Sequence, residues 1–185
     1  MDEHIDLLQS IANGEEAAFQ KLYTAFSTKV YNTAIGYVQN QEDAEEILQD
    51  VFVKIHRNAA KFKGNSAVGT WIYRIAVNTS LNVLRKKKYL SFLSFGEVKT
   101  DVPTFEHPGV LMENKEETIL IFKAIDLLPP NQKTAFILSF VEGLPRQKVA
   151  DIMEISLKAA EGLLQRAKKN LRKKLDNFYP NRRKK

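Results

Sequence analysis

Apolar residues recur at steps of three and four along most of this chain. Phe19, Leu22, Tyr23, Phe26, Val30, Tyr31, Ala34, Ile35 and Val38 fall on one face of a long amphipathic helix. Asn40 then stands where a helix N-cap belongs, with Asp43 at the third helical position. Ala44, Ile47, Leu48, Val51, Phe52 and Ile55 form the buried stripe of that second helix, which leaves Glu45, Glu46, Gln49 and Asp50 outside. Lys63-Gly64-Asn65-Ser66 reads as a turn. A third helix opens near Thr70, with Ile72, Ile75, Ala76, Thr79 and Val83 as its inner face. Trp71, Arg74, Asn78, Asn82 and Arg85 repeat at the same period on another side.

The period is lost from Tyr89 to Asn114. Pro103, Pro108, Gly96 and Gly109 fall there among scattered Ser and Thr, which predicts a linker. So long an irregular connection favours two domains over one. Helical spacing resumes at Glu116, runs through Ile119, Phe122, Ile125 and Leu128, and stops at Pro129-Pro130. A further helix is expected over residues 131–140, and Gly143 and Pro145 break the chain again. Two helices follow, over residues 146–153 and 157–175. No alternating strand pattern occurs anywhere. The chain is therefore all-α: a helical domain over residues 1–88, a linker over 89–114, a second helical domain over 115–178 and a basic tail over 179–185.

Composition narrows the function. With 185 residues and 44% hydrophobic content the chain is globular and large enough for two small domains. It has no cysteine, which excludes disulfides, thiolate zinc sites and thiol nucleophiles. His4, His56 and His107 are scattered, and neither metal nor cofactor is expected. The acidic N-terminus lacks the basic-then-apolar order of a signal peptide, and no apolar run approaches a membrane span, so no direct membrane insertion is expected. A net charge of +6 and a pI near 9.4 point to a polyanion. The charge is unevenly spread. Residues 1–50 are rich in carboxylates and carry only Lys21 and Lys29 against them. Residues 51–96 have no acid, and residues 166–185 are basic apart from Asp176.

The segment over residues 145–175 has the form of a helix-turn-helix. Val149, Ala150 and Ile152 suit a buried first helix, Ile155 plugs the turn, and Ser156 caps the second helix. Ala160, Leu164 and Ala167 step along its inner face. In this motif the N-terminal part of the second helix meets base edges in the major groove. Those positions are Lys158, Ala159, Glu161, Gly162 and Gln165. Glu accepts from cytosine N4 and Gln pairs with adenine. Arg166, Lys168, Lys169, Arg172 and Lys173 lie further along and suit phosphates. A plain helical hairpin with a solvated basic face is the other reading of the same pattern.

DAEEILQDVF (residues 43–52), FKGNSAVGTWIYRIAVN (62–78) and LRKKK (84–88) resemble region 2 of extracytoplasmic-function sigma factors of the sigma-70 family. LPPNQKTAFILSFVEGLPRQKVADIMEIS (128–156) and QRAKKNLRKKL (165–175) resemble their region 4. The resemblance implies a bacterial transcription initiation factor, not an enzyme. It implies that Asp43, Glu45, Glu46, Gln49 and Asp50 dock on the clamp helices of the RNA polymerase β′ subunit. It implies that Lys63, Asn65, Ser66, Trp71, Arg74, Asn78, Asn82 and Arg85 capture and hold the opened −10 element of promoter DNA. Region 4 would read the −35 element through Ser156, Lys158, Ala159, Glu161, Gly162, Gln165, Arg166 and Lys169, and would contact the β flap. A cytoplasmic location and an anti-sigma factor, commonly membrane-anchored, are implied as well.

Read without the resemblance, Asp43–Asp50 is a solvated acidic face, and Trp71 and Tyr73 at a helix start are equally suited to the core. Asn82 stands where many relatives carry Asp, and Ala159, Glu161, Gly162 and Leu163 stand where Thr, Lys, Ser and Arg are usual, so the promoter sequence is not carried over. The sequence admits three other functions: a metal-dependent nuclease using Glu42, Glu45, Glu46 and Asp50, a stand-alone helix-turn-helix regulator, and an all-α interaction protein with basic tails.

Overall fold

The computed structural model describes residues 4–93 and 115–178. Within them are eight α-helices, one 3₁₀ turn, one π turn and no strand. They divide into two compact units, one in each described stretch.

The first unit begins with α1 (His4–Ala12), a short helix that buries Leu8 and Ile11. A turn through Gly14, whose φ of +89° is open to glycine at no steric cost, leads into α2 (Glu16–Val38). The α2 stripe of Ala18, Leu22, Phe26, Val30 and Ala34 is buried, and Tyr37 is wholly enclosed. Gln39 turns left-handed and donates its N–H to the Ile35 carbonyl at 2.9 Å, which stops the helix. Asn40 starts the next one at once: its Oδ1 accepts the Asp43 N–H at 2.9 Å. α3 (Gln41–Asn58) buries Ala44, Ile47, Val51, Phe52 and Ile55 against α2. A 3₁₀ turn (Ala59–Lys61) and a loop over 62–67 connect it to α4 (Val68–Leu93). Gly69 lies where a Cβ would meet the Phe26 ring at 3.4 Å, so α4 packs closely on α2.

The inner face of α4 is rotated from the expected one. Ile72, Ala76 and Thr79 are buried as the spacing predicts, but Tyr73, Val77 and Ser80 join them, while Ile75 and Val83 are only half-buried. Ile75 instead forms part of a hollow between α3 and α4. The helix also runs on to Leu93, past the loss of period at Tyr89. Tyr89, Leu90, Phe92 and Leu93 are exposed there, so no buried stripe marks the helix in the sequence. The rest of the expected linker lies outside the described residues.

The second unit comprises α5 (Lys115–Asp126), α6 (Pro130–Phe136), a π turn (Ile137–Val141), α7 (Arg146–Met153) and α8 (Leu157–Phe178). Pro129-Pro130 ends the first stretch and supplies the first helical residue of α6, where a missing N–H costs nothing. The stretch expected as one helix over 131–140 changes to π geometry at Ile137, before Gly143 at φ +66° turns the chain. Phe122, Ile125, Leu138, Val149, Leu164 and Ala167 make the core. Buried Lys133 pairs with Asp126, and Asn170 donates to Gln132 Oε1 at 2.8 Å, tying α8 to α6.

Phe122 is 1% exposed. Phe122→Ala should cost the second unit about 3–5 kcal/mol by lost transfer energy and cavity formation. Denaturant unfolding of the full chain, followed by helix signal, should show an early transition that spares the first unit.

Candidate nucleic-acid interface

Three surfaces carry the residues singled out by sequence. The first is the outer side of α3. With Ala44, Ile47 and Val51 turned inward, Glu45, Glu46, Gln49 and Asp50 are all exposed. Asp43 is less exposed than these four. It lies at the edge of that face, about 20° round the helix from Asp50, where it is half-buried and pairs with Lys87 of α4. Burial pushes the Tyr31 phenol up, and the negative charge of Glu45 adds to the shift. The acidic face borders an apolar hollow of about 470 Å³ lined by Phe19, Tyr23, Gln49, Phe52, Val53, His56 and Arg57. Phe19 meets Phe52 and His56 edge-on there, at 6.1 and 5.5 Å between centroids.

The second surface lies between the end of α3 and the start of α4. Gly64, at φ +70°, turns the loop so that Lys63 and Asn65 are exposed and Ser66 is half-buried. Phe62 and Trp71 stack obliquely, their centroids 5.3 Å apart and their planes inclined at 55°. Trp71 is thus neither core nor free. One side rests on Phe62, and it also lines a hollow of about 410 Å³ with Lys54, Asn58, Lys61, Ile75, Asn78, Thr79 and Asn82.

Of the residues expected on this surface, the hollow brings together Trp71, Asn78 and Asn82. Arg74 and Arg85 are not among its lining residues, and Arg85 donates to Asn82 Oδ1 at 3.3 Å. Lys54, Asn58, Lys61 and Thr79 were not anticipated. Lys54 Nζ donates to Thr79 Oγ1 at 2.9 Å, and Asn58 Nδ2 donates to the Lys54 carbonyl at 2.8 Å. The first contact spans the gap from α3 to α4, and the second holds the amide against its own helix. The hollow offers amide donors and acceptors, cationic side chains, one ring face and no carboxylate.

The third surface is α8 with the turn before it. Glu154 takes a left-handed conformation at φ 56° and ends α7, Ile155 is half-buried as the plug, and Ser156 Oγ accepts the Ala159 N–H at 3.2 Å. Ala160, Leu164, Ala167 and Leu171 are buried. Lys158, Ala159, Gln165, Arg166 and Lys169 are exposed, and Glu161 and Gly162 are half-buried. Lys168 is exposed too, with its Nζ 4.5 Å from the centroid of the Phe140 ring. Glu161 meets Arg146 of α7 at 3.3 Å, a partner that the spacing along α8 alone could not disclose.

An acidic helix face, a cationic amide-and-ring hollow and a helix-turn-helix together fit a transcription factor with several binding surfaces. The comparisons agree. Sigma-70 region 2 matches residues 22–89, and sigma-70 region 4 matches residues 119–171. The chain is 30% identical over 177 residues to the ECF RNA polymerase sigma-E factor of Haemophilus influenzae, covering 91% of this chain and 93% of the relative. It is 27% identical to the RNA polymerase sigma-H factor of Pseudomonas aeruginosa, covering 91% and 92%.

Two solved structures share the fold at 19% identity. CnrH in complex with the cytosolic domain of CnrY gives a TM-score of 0.69 over 95% of this chain and 99% of that one. The sigma factor RpoE in complex with the anti-sigma factor NepR from Bartonella quintana gives 0.63 over 85% and 96%. The chain belongs to the sigma-70 family, among its extracytoplasmic-function (ECF) members, and is a transcription initiation factor. Members of this family are in general not enzymes. No helix among the described residues is long and apolar enough to cross a membrane.

Proposed function

We propose that the three surfaces divide the work of promoter-specific initiation. Glu45, Glu46, Gln49 and Asp50 dock on the clamp helices of the β′ subunit of core RNA polymerase. The loop over 62–67 and the hollow behind it take an unstacked base of the −10 element. α8 reads the −35 element, and its unit contacts the β flap. The observation that carries this reading is the hollow of Trp71, Asn78, Asn82, Asn58, Lys54 and Lys61. A duplex backbone needs only the cations. Ring and amides beside them suit a base taken out of the stack, whose face meets an aromatic ring and whose edge meets hydrogen-bonding groups. Asp43, held by Lys87, acts as a brace between α3 and α4 more than as a docking residue.

The same reading makes the protein cytoplasmic when active, and makes it a target for an anti-sigma protein like those in the two neighbouring complexes. The stand-alone regulator is disfavoured because it leaves the acidic α3 face and the hollow without a task.

Binding of holoenzyme to a single-stranded −10 oligonucleotide carrying a fluorescent base analogue tests the hollow. Protein-dependent quenching that needs Trp71 and Asn78 is expected, and equal binding to duplex and single strand would contradict it. Phosphate contacts are tested separately. Lys169→Ala should weaken promoter binding for all sequences alike and lower the slope of log K against log salt by about 0.9, one released counterion. Filter binding of holoenzyme between low and moderate salt measures that slope.

A further inference from the structure

α4 outlasts the core it packs on. Its last buried residue is Ser80, yet the helix runs on to Leu93, about 20 Å further along its axis. Tyr89, Leu90, Phe92 and Leu93 lie in that stretch. They are four of the eight large apolar residues that are exposed among the described ones, and Phe92, at 85%, is the most exposed of the eight. Single apolar residues scattered over a surface are ordinary, but four within five positions make a patch.

The patch has one side. At about 100° per residue its four members fall within about 160° of arc. Arg85 and Lys86 stand in the same arc one turn earlier, and Lys88 stands at its edge; all three are exposed. Lys87 and Ser91 fall outside the arc, and Lys87 is turned to Asp43 of α3. The strip therefore presents cations first, then two rings and two branched alkyl groups. No carboxylate occurs between Val51 and Gly96 to offset the charge.

That chemistry narrows what covers the strip. A second copy of the chain would set cations against cations, with no acid in the strip to relieve them. A nucleic-acid strand would take the cations and both rings, but Leu90 and Leu93 offer a base no stacking face. An anionic lipid surface uses every member. Its headgroups meet Arg85, Lys86 and Lys88, the Tyr89 ring lies at the interface with its hydroxyl in water, and Leu90, Phe92 and Leu93 enter the acyl boundary.

We propose that the last two turns of α4 form a peripheral membrane-binding strip, which lays the chain on a bilayer rich in anionic lipid without crossing it. The strip is separate from the three surfaces described above, so its failure leaves their reading untouched. Asn78 and Asn82 fall in the same arc as the strip. A chain lying on lipid through Tyr89–Leu93 thus has the rim of its hollow turned towards the membrane and withheld from promoter DNA.

Flotation of the full chain with vesicles tests this. Vesicles of phosphatidylcholine mixed with phosphatidylglycerol should carry the protein, and vesicles of phosphatidylcholine alone should bind it at least about tenfold more weakly. Phe92→Ser with Leu93→Ser should lower binding to the anionic vesicles by at least about tenfold. Both side chains are exposed, so the helix signal and the melting temperature should not change. Lys86→Gln and Lys88→Gln should each cost about fivefold. Phe92→Trp in a Trp71→Phe background should be quenched by lipids brominated on the acyl chain, which reads insertion rather than adsorption by charge.

No binding to the anionic vesicles would overturn the proposal. Equal binding by the Phe92→Ser, Leu93→Ser variant would also overturn it, by showing that a basic protein adsorbs through its overall charge. A loss of affinity for core polymerase in that variant, with vesicle binding unchanged, would give the patch to the polymerase instead.

Discussion

Trp71→Ala should leave core polymerase binding unchanged and lower open-complex formation by about ten- to a hundredfold. The size follows from the loss of one aromatic platform, since stacking of a base on such a ring is worth about 1–3 kcal/mol. Trp71 is half-buried and rests on Phe62 at 5.3 Å, so alanine also removes a packing contact. Trp71→Phe separates the two: it keeps a ring over Phe62 and should retain most of the activity, whereas Trp71→Leu keeps volume but no stacking face and should behave like alanine. Permanganate footprinting of the −10 region reads the opening directly. Normal melting with Trp71→Leu would remove the ring from the mechanism.

The second large effect is expected at α3. Glu46→Lys combined with Asp50→Lys reverses two charges on an exposed face whose inner side is unaffected. Surface changes of this kind usually shift stability by no more than about 0.5 kcal/mol. If the face docks on a cationic partner, removing the attraction and adding repulsion should cost about 2–5 kcal/mol of association, at least about thirtyfold in affinity for core polymerase. Size-exclusion co-elution or fluorescence anisotropy measures it. Asp43→Asn is the internal control. Asp43 is turned to Lys87, so its substitution should trim the stability of the first unit and leave core affinity nearly intact. An equal loss of affinity from both variants would place Asp43 back on the docking face.

Much of the architecture was legible because amphipathic helices write their period into the sequence. The α2 and α3 stripes, the Asn40 and Ser156 caps and the Pro129-Pro130 break correspond to local rules, and the structure has each where those rules put it. What was missed is equally physical. α1 is too short to repeat its period, with Leu8 and Ile11 as its only buried residues. The end of α4 carries exposed Tyr89, Leu90, Phe92 and Leu93, so helix and apolar stripe part company there.

The helical period puts Trp71, Asn78 and Asn82 on one side of α4. It could not find Lys54, Asn58 and Lys61, which join them only because α3 and α4 pack side by side. The pair of Arg146 with Glu161 is a tertiary fact, invisible to periodicity. Lys168 belongs to a basic run in sequence, and its position on α8 also brings it over the Phe140 ring.

The central claim is that this chain directs core RNA polymerase to particular promoters. The measurement that tests it most directly is run-off transcription from bacterial genomic fragments with core polymerase, in the presence and absence of the protein. Discrete new start sites that require the protein and share sequences at the −35 and −10 positions are the predicted result. No new transcripts, together with no co-elution with core, would contradict the account.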